Sequence, residues 1–517
     1  MSGSTISGTI DQQITLGVGI HLSPLTITKT GEVENTHGTN QYNGLTPTIY
    51  VSKSLSNATI FNHGTILSNT DNKTEVFVDI FASPDSTLSV TNTGVISGQD
   101  GIAEAAGGYI LNSGTISEDE DGISQNNPGI VLNTGFIYGT DVAAETFDGS
   151  VTNSGTIFAG YTGVLQTVLA GVNGEIHNSG LIMAGGVAVQ VDGGTFVNTG
   201  RILQADDLLP ASAKSLPLGG LYLSSNSITA NTSATNAASG YISAEVYGVK
   251  VTNASLTNAG TISGGKDAVY GTSISLTIDP GAVFIGDVVD TDKNGLLELQ
   301  GKQGWQGGIG GKFIGFQDID FASGSEWTIQ GSKKGLASGQ EINGFAQGDK
   351  IVLGEFAATS DTYVTGVGLV LANASGKRTL DITGSFTTGD FNVTSVNGNT
   401  HISLVTAHSS DQIVVLDAAS RQPSAEMRFL SPVAQVAASG VHAPNSFSEL
   451  FDEMRGAGYA ANHMPKIESY ISRSPVDVAT LAANGMGPAI SGLIGLPEQH
   501  HVNSASVPLN AFEKTLT

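Results

Sequence analysis

The chain has 517 residues, 68 of them glycine, with 39% apolar but only 6% aromatic residues. Lys plus Arg number 21 against 46 Asp plus Glu, a net charge of −25 that would repel a phosphate backbone and argues against nucleic-acid binding. Cysteine is absent, which removes disulfide scaffolds, thiolate zinc sites, iron–sulfur clusters and cysteine nucleophiles.

The first residues, Met1 to Ser4, carry neither a basic run nor an apolar stretch. The expectation is a protein that is cytoplasmic, exported without an ordinary signal peptide, or written without its leader. No segment offers the roughly 20 large apolar residues of a membrane span. The segment Gln13 to Gly38 reads as irregular first coils of a repeat array, and Asn40 to Ser56 as an insertion that leaves it as a loop.

A repeat then dominates the chain. The template apolar-x-Asn-small-Gly-x-Ile is centred on Asn62, Asn92, Asn112, Asn133, Asn153, Asn178, Asn198 and Asn258, with a looser copy from Asn236 to Ile242. From Asn92 to Asn198 the spacings are 20, 21, 20, 25 and 20 residues. A second apolar mark follows in each unit, at Ile102, Ile123, Val142, Val164, Val187, Val249 and Val269. Apolar residues two before and four after each Asn suit inward positions of extended chain. The Asn-x-Gly between them is expected at a corner with positive φ. Stacked coils would also place one Asn over the next, as a ladder of side-chain amides.

So many Gly, Asn and Thr residues disfavour helical repeats. The leucine-rich and calcium-nonapeptide patterns do not occur. The expected fold is therefore all-β: a right-handed parallel β-helix over residues 1–296, of about a dozen coils and roughly 60 Å at about 4.8 Å per coil. A second insertion, Asp206 to Asn231, is expected to leave the rod as a loop and, with 40–56, to offer contact points. Residues 297–406 read as a β-rich extension, either further coils or a capping β-roll. Residues 407–517 read as a partly helical tail, with helical spacing at Phe447, Leu450, Phe451 and Met454.

The N-S-G-T-I coils resemble the passenger regions of bacterial autotransporter-like and filamentous-haemagglutinin-like surface proteins. The segments LELQGKQG from Leu297, FQDIDFASGSEWTI from Phe316 and INGFAQGDKIVL from Ile342 look like the closing part of such alphaproteobacterial β-strand-repeat proteins. The resemblance covers residues 1–406. It implies a secreted or cell-surface adhesin or matrix protein, whose partners would be surface glycans, host or cell-surface receptors, or further copies of itself. Residues 407–517 are too short for a translocator barrel, and the self-splicing module of some relatives needs a cysteine this chain lacks.

The chemistry is sparse. Arg201, the single Arg of residues 1–300, occupies a variable repeat position and is expected to face solvent rather than serve as a lyase base. Asp100, Asp121 and Asp141 recur eight or nine residues after their Asn and could form the carboxylate pair of a glycosidase, though a solvated acidic face is the plainer expectation. The run Glu118 to Asp121 and the set Asp287, Asp290 and Asp292 could bind calcium weakly. The segment Gly260 to Asp267 nearly spells a phosphate loop but ends in Asp. His500 and His501 are expected to be exposed, and Trp305 and Trp327 to pack within strands, or to stack on sugar rings if exposed. No catalytic, cofactor or metal residue is assigned. A non-enzymatic surface protein leads, a self-assembling layer or fibre subunit follows, and a polysaccharide-active enzyme comes third.

Overall fold

Residues two apart in an extended chain share a face. Val90, Asn92 and Ile96 are all buried, and so are their equivalents Ile110, Asn112 and Ile116 one repeat later. The computed structural model, which describes residues 3–35, 45–68, 76–104, 106–169, 172, 174–205, 218–225 and 231–405, shows each repeat as one coil of a parallel β-solenoid of about 14 turns. With 65% strand and 2% helix, the described residues are nearly all-β.

Three strands make a coil. Thr87–Asn92, Val95–Gly98 and Asp100–Glu104 form one, and Gly108–Asn112, Thr115–Glu118 and Ile123–Gln125 form the next. They pair in parallel and in register, Val90 with Ile110, Ile96 with Ile116 and Ile102 with Ile123. Three parallel sheets thus enclose one apolar core that runs from Ile6 to Ile402. A buried Ile contributes roughly 1.5–3 kcal/mol, while each ordered residue costs roughly 1–2 kcal/mol of backbone entropy. One coil cannot offset that cost, and stacking supplies the rest.

The Asn spine is present. Asn62, Asn92, Asn112, Asn133, Asn153, Asn178, Asn198, Asn236 and Asn258 stack, each Nδ2 donating to the next Oδ1 at 2.8–2.9 Å. Asn92 Nδ2 also donates to the Thr115 carbonyl at 3.0 Å, and its Oδ1 accepts from Gly94 N at 3.2 Å. The corner is therefore held by side chains in three directions.

The expected reason for the corner glycines needs correction. Neither these Asn residues nor the Gly two places on has positive φ. The requirement is close approach: a Cβ on Gly155 would lie 2.2 Å from the Gly135 carbonyl oxygen, and one on Gly114 2.2 Å from that of Gly94. Gly155→Ala is accordingly expected to destabilise the protein by about 2–4 kcal/mol. Gly8→Ala, whose Cβ would meet nothing within 4 Å, should change stability by less than about 0.5 kcal/mol. Urea unfolding of both variants checks the pair.

Both expected insertions are corrected in part. Leu45–Val51 is a strand between Ile14–Leu16 and Val76–Ala82, with Thr46, Thr48, Ile49 and Val51 buried. Pro47 sits within it, and its carbonyl accepts from Gln13 Nε2 and Asn35 Nδ2. Gly219–Ser224 is likewise a strand between Val187–Asp192 and Tyr247–Asn258. The other parts of those segments, 40–44, 206–217 and 226–230, lie outside the described residues. Two apolar marks also shift: Ala144 and Val189, not Val142 and Val187, continue the row of Ile102, Ile123 and Val164.

Parallel pairing continues past residue 296 through Gly295–Leu299, Phe316–Phe321 and Glu341–Asn343. Then the direction reverses. Lys350–Leu353 pairs antiparallel with Asn399–Leu404, and Ser360–Val364, Gly368–Asn373 and Gly376–Ile382 form an antiparallel meander. These strands occupy hydrogen-bonding edges that a parallel stack would otherwise leave open. The tail 407–517, with the expected helix around Phe447, lies outside the described residues.

Candidate functional site

Residues 74–200 contain no Lys or Arg and 14 Asp or Glu, so most acids of this stretch have no cationic neighbour in sequence. The run Glu118 to Asp121 does not form one surface. Asp119 and Glu120 are exposed and Asp121 is half-buried, but Glu118 closes the strand Thr115–Glu118 with its side chain inside. Its register neighbours are Gly98 and Gly139, whose missing side chains leave it room.

A second acid meets it there. Val78 pairs with Asp100 and Ile80 with Ile102, which sets Asp79 against Gly101 of the next coil. A Cβ on Gly98 would lie 3.0 Å from Asp79 Oδ1, and one on Gly101 3.0 Å from Glu118 Oε1. Two carboxyls from coils on either side thus reach into the space left by the two glycines between them. Both residues are 0% exposed; Ser68 is the donor beside Asp79 and the Gly98 backbone the donor beside Glu118, and neither lies in good hydrogen-bond geometry. Burial, and for Glu118 the adjacent Asp79 carboxyl, pushes both pKa values well above the carboxylate range. The arrangement fits a pair of carboxyls that retain protons.

Asp100, Asp121 and Asp141 follow one another along the stack, as their spacing implies. The Asp121 N–H donates to Asp100 Oδ1 at 3.2 Å, and the Val142 N–H to Asp121 Oδ1 at 3.1 Å. The carboxyls of Asp100 and Asp121 therefore tie one coil to the next. Burial raises Asp100 to about 7, helped by the charges of Glu120 and Asp121, and raises Asp121 to about 6, helped by Asp141 and Glu145. Carboxyls of this kind can hold or release a proton near neutrality, the property a general acid needs.

A second interior polar row runs Glu104, Gln125, Thr146 and Gln166. Gln125 Nε2 donates to Glu104 Oε2 at 3.2 Å, while Glu104 Oε1 has no partner. Burial pushes the Glu104 carboxyl up to about 8. Sequence reasoning missed Asp79 and Glu104, and it offered Glu118 only within an acidic run that could bind calcium weakly.

The other candidates separate. Asp290 accepts from Ile274 N at 2.8 Å and Lys293 N at 3.0 Å, and Asp292 accepts from Ser273 N at 3.0 Å. These two carboxylates bind turns rather than forming an open calcium cage with the exposed Asp287. Among the described residues, no three acidic or histidine side chains converge as metal ligands. Arg201 lies over the Tyr241 ring at 5.5 Å. The near-phosphate-loop lies largely in the strand Thr261–Ile278, with Lys266 Nζ 3.1 Å from the Tyr247 hydroxyl. Trp327 is buried at 2% exposure, its indole N–H donating to the Gln300 carbonyl at 2.7 Å, whereas Trp305 is 64% exposed. His500 and His501 lie outside the described residues. No family model matches the chain, and no curated protein or solved structure is found to be similar to it.

Proposed function

We propose that the protein is a secreted or cell-surface structural protein of bacterial, adhesin-like type that presents a rigid β-solenoid to other surfaces and performs no catalysis. The observation that carries this reading is the continuous apolar core of about 14 coils with its Asn spine. Such a core makes a rod of roughly 65 Å at about 4.8 Å per coil, stiff because every coil is bonded to its neighbours. The acidic, lysine-poor exterior keeps such a rod soluble. Its partners on this reading are surface glycans or cell-surface receptors. Tagged protein in its native cells, exposed to external protease, is expected to be cut or found in the medium. A tag fully protected inside the cytoplasm overturns the reading.

A second reading, end-to-end self-assembly, is favoured by one end of the rod. Among the described residues, the strands Ser4–Ile6, Thr9–Asp11 and Ile14–Leu16 pair with the second coil only, and Val18, Ile20 and Leu22 stand exposed beside them. Ile20 is 84% exposed. Light scattering of the purified protein should then show concentration-dependent growth that Ile20→Lys abolishes. A monomer at every concentration removes this reading.

A further inference from the structure

The exposed Trp305 stands on a sheet face whose composition differs from the rest of the rod. The strands Lys302–Ile309, Glu326–Gly331, Lys350–Leu353, Asn399–Leu404 and Phe391–Val396 lie side by side. Their register sets Trp305, Thr328, Lys350, Ser403 and Asn392 in one row across the sheet. Gln330, His401 and Thr394 flank that row, and together these side chains line an open groove of about 490 Å³. The opposite face is core: Trp327, Ile329, Ile351 and Ile402 are buried.

Three features define what fits. An indole left 64% exposed at one side of a groove is a flat apolar platform without a partner, and burying it is favourable. A Cβ on Gly307 would lie 2.6 Å from the Trp305 ring, so the ring rests against backbone and is held in place. Beside the apolar Val352, Val396 and Ile402, the remaining lining is amide, hydroxyl, imidazole and one ammonium, supplying both donors and acceptors, with no carboxylate in a chain of net charge −25.

A flat apolar ring beside groups that both donate and accept matches a sugar, whose C–H face is apolar and whose hydroxyls do both. Nucleic-acid bases also stack on indoles, but the overall charge opposes their phosphates. The same charge disfavours polyanionic sugars, and one lysine in the groove does not reverse it.

We propose that this groove binds a neutral oligosaccharide, with Trp305 as the stacking platform and the Thr328–Asn392 row reading hydroxyls. The proposal deepens the surface-presentation reading and rests on it for its biological setting. It also moves the contact point away from the segments 40–56 and 206–231.

The test uses the purified full chain titrated with cellohexaose, maltohexaose and mannohexaose, and with hexagalacturonate as the anionic probe. Tryptophan emission and calorimetry report binding. With two tryptophans, one buried and one exposed, Trp305→Phe assigns the signal. At least one neutral hexaose should bind with millimolar affinity or better and shift the emission. Trp305→Ala should weaken that binding about tenfold or more, and Lys350→Ala, which removes one of several groups on the hydroxyls, should weaken it by a smaller factor. Trp305 is exposed, so its variants should keep the wild-type melting temperature, which is measured alongside. Three results overturn the proposal: no neutral hexaose binds, Trp305→Ala binds as well as wild type, or hexagalacturonate alone binds and depends on Lys350. Because purified protein is used, sugar binding by a chain found inside the cell would sink the surface reading and leave the groove standing. A surface-exposed chain that binds no hexaose would do the reverse.

Discussion

The melting temperature of the protein is expected to fall as pH rises from about 5 to about 8.5, the reverse of what carboxylates engaged in salt bridges produce. Glu104 is held at about 8 and Asp100 at about 7 by burial, and the Asp79–Glu118 pair is held above its ordinary range. Each of these groups binds its proton more tightly folded than unfolded. Their contribution is therefore fully present below the unfolded carboxyl range and is lost as pH climbs through the folded values. Glu104 alone, raised from 4.5 to about 8, accounts for roughly 3–5 kcal/mol across that window. Asp292, lowered to about 2, and Asp390, also lowered, work in the opposite direction but only at lower pH. General self-repulsion of a chain with net charge −25 falls on acidification too, so a control is needed. Glu104→Gln keeps an oxygen for Gln125 and removes the charge. It is expected to raise the melting temperature by about 5 °C near pH 8.5 and to leave it unchanged near pH 5. A flat or rising melting curve between those pH values contradicts the protonated interior.

The fold was legible because one residue type marks one place. Asn recurs at the same corner of successive coils, and counting from it locates the inward apolar rows. The count also contained a clue to the buried acids. Six residues past Asn92, Asn133, Asn153 and Asn178 stand Gly98, Gly139, Ala159 and Ala184, and at that place after Asn112 stands Glu118. Ser68 and Gln204 hold the same place after Asn62 and Asn198, so the column is interior and Glu118 is the acid in it; the neighbouring acidic run obscured that signal. Asp79 gave no such signal. It lies 17 residues past Asn62, whereas its stacking partner Gly101 lies nine past Asn92, because its coil is longer between Ser68 and Val76. The two tryptophans were indistinguishable for a related reason. Trp305 and Ile309 are four apart and would share a face in regular strand. A register shift between Gln306 and Ile309 breaks that rule, which leaves Ile309 inside and Trp305 outside. Gly304, paired with Trp327, makes the space its ring fills: a Cβ there would lie 2.1 Å from the indole. Bulges and glycine–aromatic exchanges are properties of pairs of strands, and one strand read alone does not reveal them.

Substitution within the Asn spine should depend on position along the rod. Asn153 donates to Asn178 Oδ1 at 2.8 Å and to the Leu181 carbonyl at 3.1 Å, and accepts from Asn133 Nδ2 at 2.8 Å. Asn153→Ala removes all three in a fully buried site, leaving polar groups of two neighbouring coils short of a partner. With an unsatisfied buried group costing about 1–3 kcal/mol, the expected loss is about 3–5 kcal/mol. Asn258 is the last member. Its register neighbour in the next coil is Ile278, and its Nδ2 already lacks a partner, so Asn258→Ala forfeits only what its oxygen accepts from Asn236 and Gly260. About 1–2 kcal/mol is expected there. The spine is bounded by an apolar residue at its other end as well, where Ile27 pairs with Asn62. Asn153→Asp separates the amide network from simple loss of volume. Its shape is unchanged, but the position that donated to Asn178 Oδ1 becomes an oxygen, which is tolerable only when protonated. This variant should therefore be destabilised more near pH 8 than near pH 5, whereas the cost of Asn153→Ala, measured against wild type, should not change with pH. Urea unfolding at the two pH values decides the matter. Equal losses at Asn153 and Asn258, or an Asp variant indifferent to pH, would mean that the amides fill space and the apolar rows alone hold the coils together.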